Sequence, residues 1–193
     1  MNLLLLGPQG SGKGTQATRI AADYGIPHIS TGDMFRAAIT AGGELGRRVE
    51  PILAVGELVP DELTVELIRE RLGRPDARRG FVLDGFPRNL AQAQALDRML
   101  GEIGRDLDAV LYFDLPDAVA IERLLGRARA EGRTDDTPDV IRRRLAIYHE
   151  QTEPLAEYYR ARDRLVPVHA VGTVDEVYAE LQVALEQVEG RAA

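Results

Sequence analysis

The sequence contains no cysteine and no tryptophan. Without cysteine there can be no disulfide and no thiolate-bound zinc, so no structural zinc is expected. A reducing compartment suits such a chain, and a cytoplasmic setting is expected. Aromatics make up only 5% of the residues, which leaves the core to aliphatic side chains. No apolar run approaches the roughly 20 residues that span a bilayer. Met1-Asn2, ahead of Leu3 to Leu6, lacks the basic start and the length of a signal peptide. Lysine is nearly missing too: of 24 basic residues only Lys13 is a lysine, the rest being arginine. Where almost every cation is a planar fork, the single compact point charge draws attention to its position. The 31 acidic residues leave a net charge of −7. Nucleic-acid affinity rests on phosphate neutralisation, so no nucleic-acid partner is expected, nor a membrane.

What remains is a chain of 193 residues, 45% apolar and 28% charged, enough for one well-cored domain with small appendages. Short apolar runs at Asn2 to Leu6, Gly80 to Asp84, Ala109 to Asp114 and Arg164 to Val168 read as buried strands. Helical stretches alternate with them: Lys13 to Tyr24, a broken helical segment from Ser30 to Pro60, then Asp61 to Leu72, capped by Asp61. Further helices are expected over Asn89 to Leu100, Asp117 to Gly126, Thr137 to Arg160 and Val174 to Val188. The broken segment is interrupted by Gly42-Gly43, Pro51 and Gly56. Such alternation predicts a three-layer α/β sandwich: a parallel sheet of about five strands with helices on both faces. Ligands then bind at the carboxyl ends of the strands, where Gly7, Asp84 and Asp114 fall.

Gly7-Pro8-Gln9-Gly10-Ser11-Gly12-Lys13-Gly14-Thr15 lies between the first strand and the first helix. Glycines let successive N–H groups turn inward towards an anion, and the helix adds its positive end. This is a P-loop pattern in which Gly10, Ser11, Gly12, Lys13, Gly14 and Thr15 would hold a nucleoside triphosphate. It departs from the general form in that Gly14 separates Lys13 from the hydroxyl residue, Thr15. Thr15 is the candidate Mg²⁺ ligand. Asp84, ending an apolar strand, is the candidate carboxylate for that metal, acting through water. On these residues alone a switch GTPase, an ATPase and a kinase all remain open.

Two further segments narrow the choice. Ser30-Thr31-Gly32-Asp33-Met34-Phe35-Arg36 opens the helical insertion, and Asp84-Gly85-Phe86-Pro87-Arg88 precedes Gln92 by one turn. With the phosphate loop, and over essentially the whole chain, these resemble the adenylate kinase family. The resemblance implies phosphoryl transfer from MgATP to AMP. It assigns AMP to Thr31, Arg36, Gly85, Arg88 and Gln92, with Glu57, Leu58 and Val59 lining its pocket and Gly56 leaving room for the base. It puts Arg123 over the ATP adenine and counts Gly172 among the ATP-binding residues. Arg127, Arg133 and Arg144 converge on the transferring phosphates, and Arg142 and Arg143 are left outside. Lys13, Arg88, Arg127, Arg133 and Arg144 are then the catalytic set. Residues 1–29, 60–126 and 137–193 would form the core, 30–59 the AMP-binding insertion and 127–136 a short lid.

No general base is required, because a phosphate monoester is already largely ionised at neutral pH. His28, His149 and His169 are read as structural. Catalysis would rest on positioning and electrostatics. Two other readings stand beside this one: a kinase for UMP or CMP, and a non-catalytic P-loop switch. A switch of the Asn-Lys-x-Asp type is excluded because Lys13 is the sole lysine. A monomer is expected, since no heptad stripe is present.

Overall fold

The leucines near the start of the chain set the centre of the molecule. The structure, a computed structural model, describes residues 1–131 and 136–192. Its strands are β1 (Asn2–Leu6), β2 (His28–Ser30), β3 (Phe81–Asp84), β4 (Ala109–Asp114) and β5 (Leu165–His169). They lie side by side in the order β2-β3-β1-β4-β5, every neighbouring pair parallel. The helices are α1 (Lys13–Tyr24), α2 (Thr31–Ala41), α3 (Glu44–Ala54), α4 (Asp61–Leu72), α5 (Leu90–Glu102), α6 (Asp117–Glu131), α7 (Pro138–Ile147), α8 (Leu155–Arg160) and α9 (Val174–Ala192).

Successive side chains of a strand point to opposite faces, so a strand buried on both faces must be apolar throughout. β1 meets that demand. Leu3 and Leu5 face a layer built by Ala17 and Ile20 of α1 and Val177, Leu181 and Leu185 of α9. Leu4 and Leu6 face Ile68 of α4, Leu96 of α5 and Tyr159 of α8. Each such leucine contributes about 1.5–3 kcal/mol by leaving water. A third, smaller core of Phe35, Val49 and Val59 holds α2 and α3 together.

Several local expectations are corrected. β2 is a three-residue edge strand with half-buried ends, too short and too polar to stand out as an apolar run. α3 continues through Pro51. The ring forfeits one backbone bond, but Val49 and Leu53 keep the helix on the small core. α6 runs past Gly126 to Glu131. Arginine, alanine and glutamate after the glycine are strong helix formers and outweigh its cost of about 1 kcal/mol. Arg127 is therefore a helical residue.

The last expected helix is broken. α7 ends at Ile147, a π-helical turn covers Tyr148–Thr152, and α8 begins after Pro154. Proline offers no N–H to the preceding turn, and the wide turn absorbs the interruption. Asp61 does not cap α4. Pro60 occupies the cap position with no side-chain bond, and Asp61 points its carboxylate at α5 instead.

Candidate active site

At the carboxyl ends of β1 and β3 lies a cleft of about 550 Å³. The phosphate loop forms one wall. Gly10 holds φ of 84°, and a Cβ there would come within 2.8 Å of the Ala120 carbonyl of α6, so only glycine fits the turn. Lys13 folds back over its own loop. Its Nζ donates to the Gly7 carbonyl at 2.8 Å, the Pro8 carbonyl at 2.7 Å and Ser11 Oγ at 3.1 Å. Burial pushes its pKa down to about 8, against the pull of Asp84 and with the push of Arg88 and Arg127. Gly10, Gly12, Gly14 and Thr15 line the cleft, whereas Ser11 is buried and turned into the loop through its bond to Lys13.

Asp84 faces this loop from the end of β3. Burial works to raise its pKa, but His28, Lys13 and Arg88 hold it below the ordinary carboxylate value. His28 Nε2 stands 3.7 Å from Asp84 Oδ2, too far for a hydrogen bond. Thr15 and Asp84 line the same cleft and offer a hydroxyl and a carboxylate, the hard oxygen donors that Mg²⁺ takes. Among the described residues no group of three or more carboxylates or histidines gathers to hold a metal. An ion here would draw most of its ligands from phosphate and water, as Mg²⁺ commonly does.

Arginines ring the rest of the cleft. Arg88 donates through Nε to the Gly85 carbonyl at 2.8 Å, and burial lowers its pKa against the opposing charge of Asp84. Arg36 turns onto Asp33 of its own helix at 2.5 Å. Arg123 reaches the loop after β5, donating to the Ala170 carbonyl at 3.0 Å and the Gly172 carbonyl at 3.3 Å, so Arg123 and Gly172 are brought together. Arg127 of α6 and Arg144 of α7 both bond Asp136, whose side chain is fully buried. Arg133 lies outside the described residues. Arg142 pairs with Asp139 on the surface, and Arg143 with Glu57 of the insertion, at 2.5 Å each.

A small annex of about 30 Å³ adjoins the cleft, lined by Thr31, Glu57, Leu58, Val59, Gly85 and Gln92 among others. As it stands it is too small for a purine. Thr31 is buried and donates to the Gly85 carbonyl at 2.9 Å. Gly85 has φ of 80°, and a Cβ would meet Thr31 Oγ1 at 2.7 Å. Gly56 does not face this annex: a Cβ on it would meet Val140 and Arg144 of α7. Glu57 reaches outward to Arg143.

Four residues of the site escape the sequence reading. Asp136 links two arginines. Asp61 accepts from Asn89 and Gln92. Asn89 caps α5 by accepting from Gln92 N–H at 2.9 Å. Thr152, on the π-helical turn, donates to the Arg88 carbonyl at 2.7 Å. Asp136 left a partial signal, as one of the two carboxylates, Asp135 and Asp136, that follow Arg133, and Asn89 another, as a capping residue at the start of a helix. Asp61 and Thr152 left none.

The chain matches the family model described as adenylate kinase over residues 5–164. It is 49% identical over 185 residues to a protein named adenylate kinase from Xanthomonas euvesicatoria pv. vesicatoria (strain 85-10), covering 96% of this chain and 99% of that protein. It is 48% identical over 186 residues to one of the same name from Stenotrophomonas maltophilia (strain K279a), covering 96% and 100%. Phosphate loop, metal-competent oxygens and clustered arginines, on a parallel five-stranded sheet, agree with this match, and the chain belongs to the adenylate kinase family.

Proposed function

We infer that the protein catalyses reversible transfer of the terminal phosphoryl group of MgATP to AMP, giving two ADP. One observation supports this above the others: Lys13, Arg88, Arg127 and Arg144 border a single cleft, and a separate annex holding Gln92 opens beside it. One cation and a loop would serve a hydrolase or a switch. A second set of arginines and a second base site fit a second nucleotide.

An AMP phosphate oxygen forms a bond to the ATP γ-phosphorus while the bond to the β,γ-bridging oxygen breaks, and ADP leaves with that electron pair. The attacking oxygen is already ionised, so no side chain need remove a proton. Lys13 and the inward N–H groups of residues 10–15 hold the β- and γ-phosphates. Arg36 and Arg88 grip the AMP phosphate, Arg36 exchanging Asp33 for it. Arg127, Arg133 and Arg144 balance charge on the moving group. Thr15 and, through water, Asp84 would hold Mg²⁺, which when bound offsets phosphate charge. Arg123 and Gly172 flank the ATP adenine. Thr31, Gly85 and Gln92 face the AMP base, with Glu57, Leu58 and Val59 closing the pocket.

Residues 30–59 act as the acceptor-binding insertion, 127–136 as the short lid, and 1–29, 60–126 and 137–193 as the core. Closing them excludes water, which would otherwise take the phosphoryl group. The protein works as a cytoplasmic monomer, with ATP, AMP and ADP as partners and neither nucleic acid nor membrane. ADP formation from MgATP, with AMP, UMP, CMP or GMP offered in parallel, tests the reading. Preference for AMP supports it. Preference for UMP or CMP keeps the chemistry and removes Gln92 and Thr31 as base readers. Transfer to none of them overturns it.

A further inference from the structure

Gln92 is 2% exposed, and both ends of its amide are held. Its Oε1 accepts from the Arg88 backbone N–H at 2.8 Å. Its Nε2 donates to Asp61 Oδ1 at 2.7 Å. The same carboxylate oxygen accepts from Asn89 Nδ2 at 2.9 Å, which ties Asp61 of α4 to the start of α5. The Arg88 end is fixed as well, because Thr152 grips the Arg88 carbonyl.

An amide can turn over and exchange its donor and acceptor ends. Here that turn is blocked from two sides. A carboxylate only accepts and a backbone N–H only donates. Turned over, the amide would set oxygen against carboxylate and N–H against N–H, losing two hydrogen bonds in a buried place. One N–H and one lone pair of Oε1 remain free, in a fixed order.

We propose that Asp61 is a positioning residue for base selection: it locks the Gln92 amide so that the acceptor site takes a 6-aminopurine and refuses a 6-oxopurine. The inference rests on Gln92 reading the AMP base. Adenine offers an amino donor beside a ring-nitrogen acceptor, which matches a free amide oxygen beside a free N–H. Hypoxanthine carries an oxygen where adenine carries the amine, so in the same pose acceptor meets acceptor. A free amide would simply turn over to suit it. A site left with unpaired buried polar groups rejects the wrong ligand strongly. Asp61 touches no reacting atom and acts only through the amide.

The test compares kcat/KM for AMP and for IMP at saturating MgATP in the parent protein, D61N, D61L and Q92L. Asn in place of Asp61 can itself turn over and no longer forbids the turned Gln92; leucine removes the carboxylate lock and leaves the amide held by the Arg88 N–H alone. The AMP-to-IMP ratio falls about tenfold or more in D61N and D61L, with KM for MgATP unmoved, which a merely structural loss would not produce. If Q92L lowers the ratio while D61N and D61L leave it at the parent value, the positioning role is wrong and base reading by Gln92 stands. If Q92L leaves the ratio unchanged, both fall. The parent protein gives an independent readout, whatever the folding of the variants. Before AMP is added, one Gln92 side-chain N–H proton exchanges slowly with solvent, and exchange of both at the rate of exposed glutamines overturns the proposal.

Discussion

Asp136 sits between Arg127 and Arg144: its Oδ2 accepts from Arg127 Nε at 2.9 Å and its Oδ1 from Arg144 Nη1 at 2.9 Å. The arginines come from α6 and α7, so this anion ties together the two helices that flank the stretch between Glu131 and Asp136. It also lets two like charges stand side by side before any phosphate arrives. In D136N the amide can accept from only one arginine and turns N–H groups towards the other. We expect kcat to fall about ten- to a hundredfold from misplaced arginines. Stability should drop by on the order of 2 kcal/mol, discounted because both arginines keep some solvent. Steady-state kinetics and a thermal melt check both; unchanged kcat would show that Asp136 is only structural.

Lys13→Met removes the charge and three hydrogen bonds to the loop. Turnover is expected to fall about a hundredfold or more, with circular dichroism unchanged. Activity near that of the parent would take Lys13 out of the phosphate site.

The same lysine predicts a pH dependence. Burial lowers its pKa to about 8, so the free protein carries the charge below that pH and loses it above. Triphosphate binding needs the charged form and restores the proton. MgATP affinity therefore holds level on the acid side of 8 and weakens as pH rises through it, towards about tenfold per unit. Calorimetric titrations at several pH values, with proton uptake read from buffers of different ionisation heat, decide this. A K13M protein should lack the step.

Gly85→Ala would place a Cβ 2.7 Å from Thr31 Oγ1 and 3.2 Å from Arg88 Nη2, at a left-handed φ of 80°. The backbone alone costs about 1–2 kcal/mol. Thr31 and Arg88 share the Gly85 carbonyl, so both should shift. KM for AMP is expected to rise about tenfold while the dissociation constant for MgATP stays put. Equal weakening of both nucleotides would contradict the separation of the two sites.

Arg88→Ala offers the complementary loss. It removes a guanidinium that borders both the cleft and the annex. AMP handling should suffer by about 1.5–3 kcal/mol, the worth of hydrogen bonds to a charged group. Equilibrium binding of MgATP alone should persist.

Much of this architecture was legible in the chain itself. Leu3 to Leu6 read as a strand buried on both faces, and the glycines around Lys13 as a turn that points N–H groups inward. Both signals are local: a short unbroken apolar run, or a turn that needs positive φ. The alternation of strands and helices then put Gly7 and Asp84 at one end of a sheet. Tertiary structure decided the rest. It ran α6 on through Gly126, inserted a π-helical turn that brings Thr152 to Arg88, and turned Asp61 from a helix cap into the partner of Gln92 across 31 residues. It also placed Asp136 between two arginines. Sequence spacing reports which face of its own helix a side chain occupies. The partner a polar side chain finds depends on how separate helices dock, and docking is set by apolar packing that polar residues do not encode.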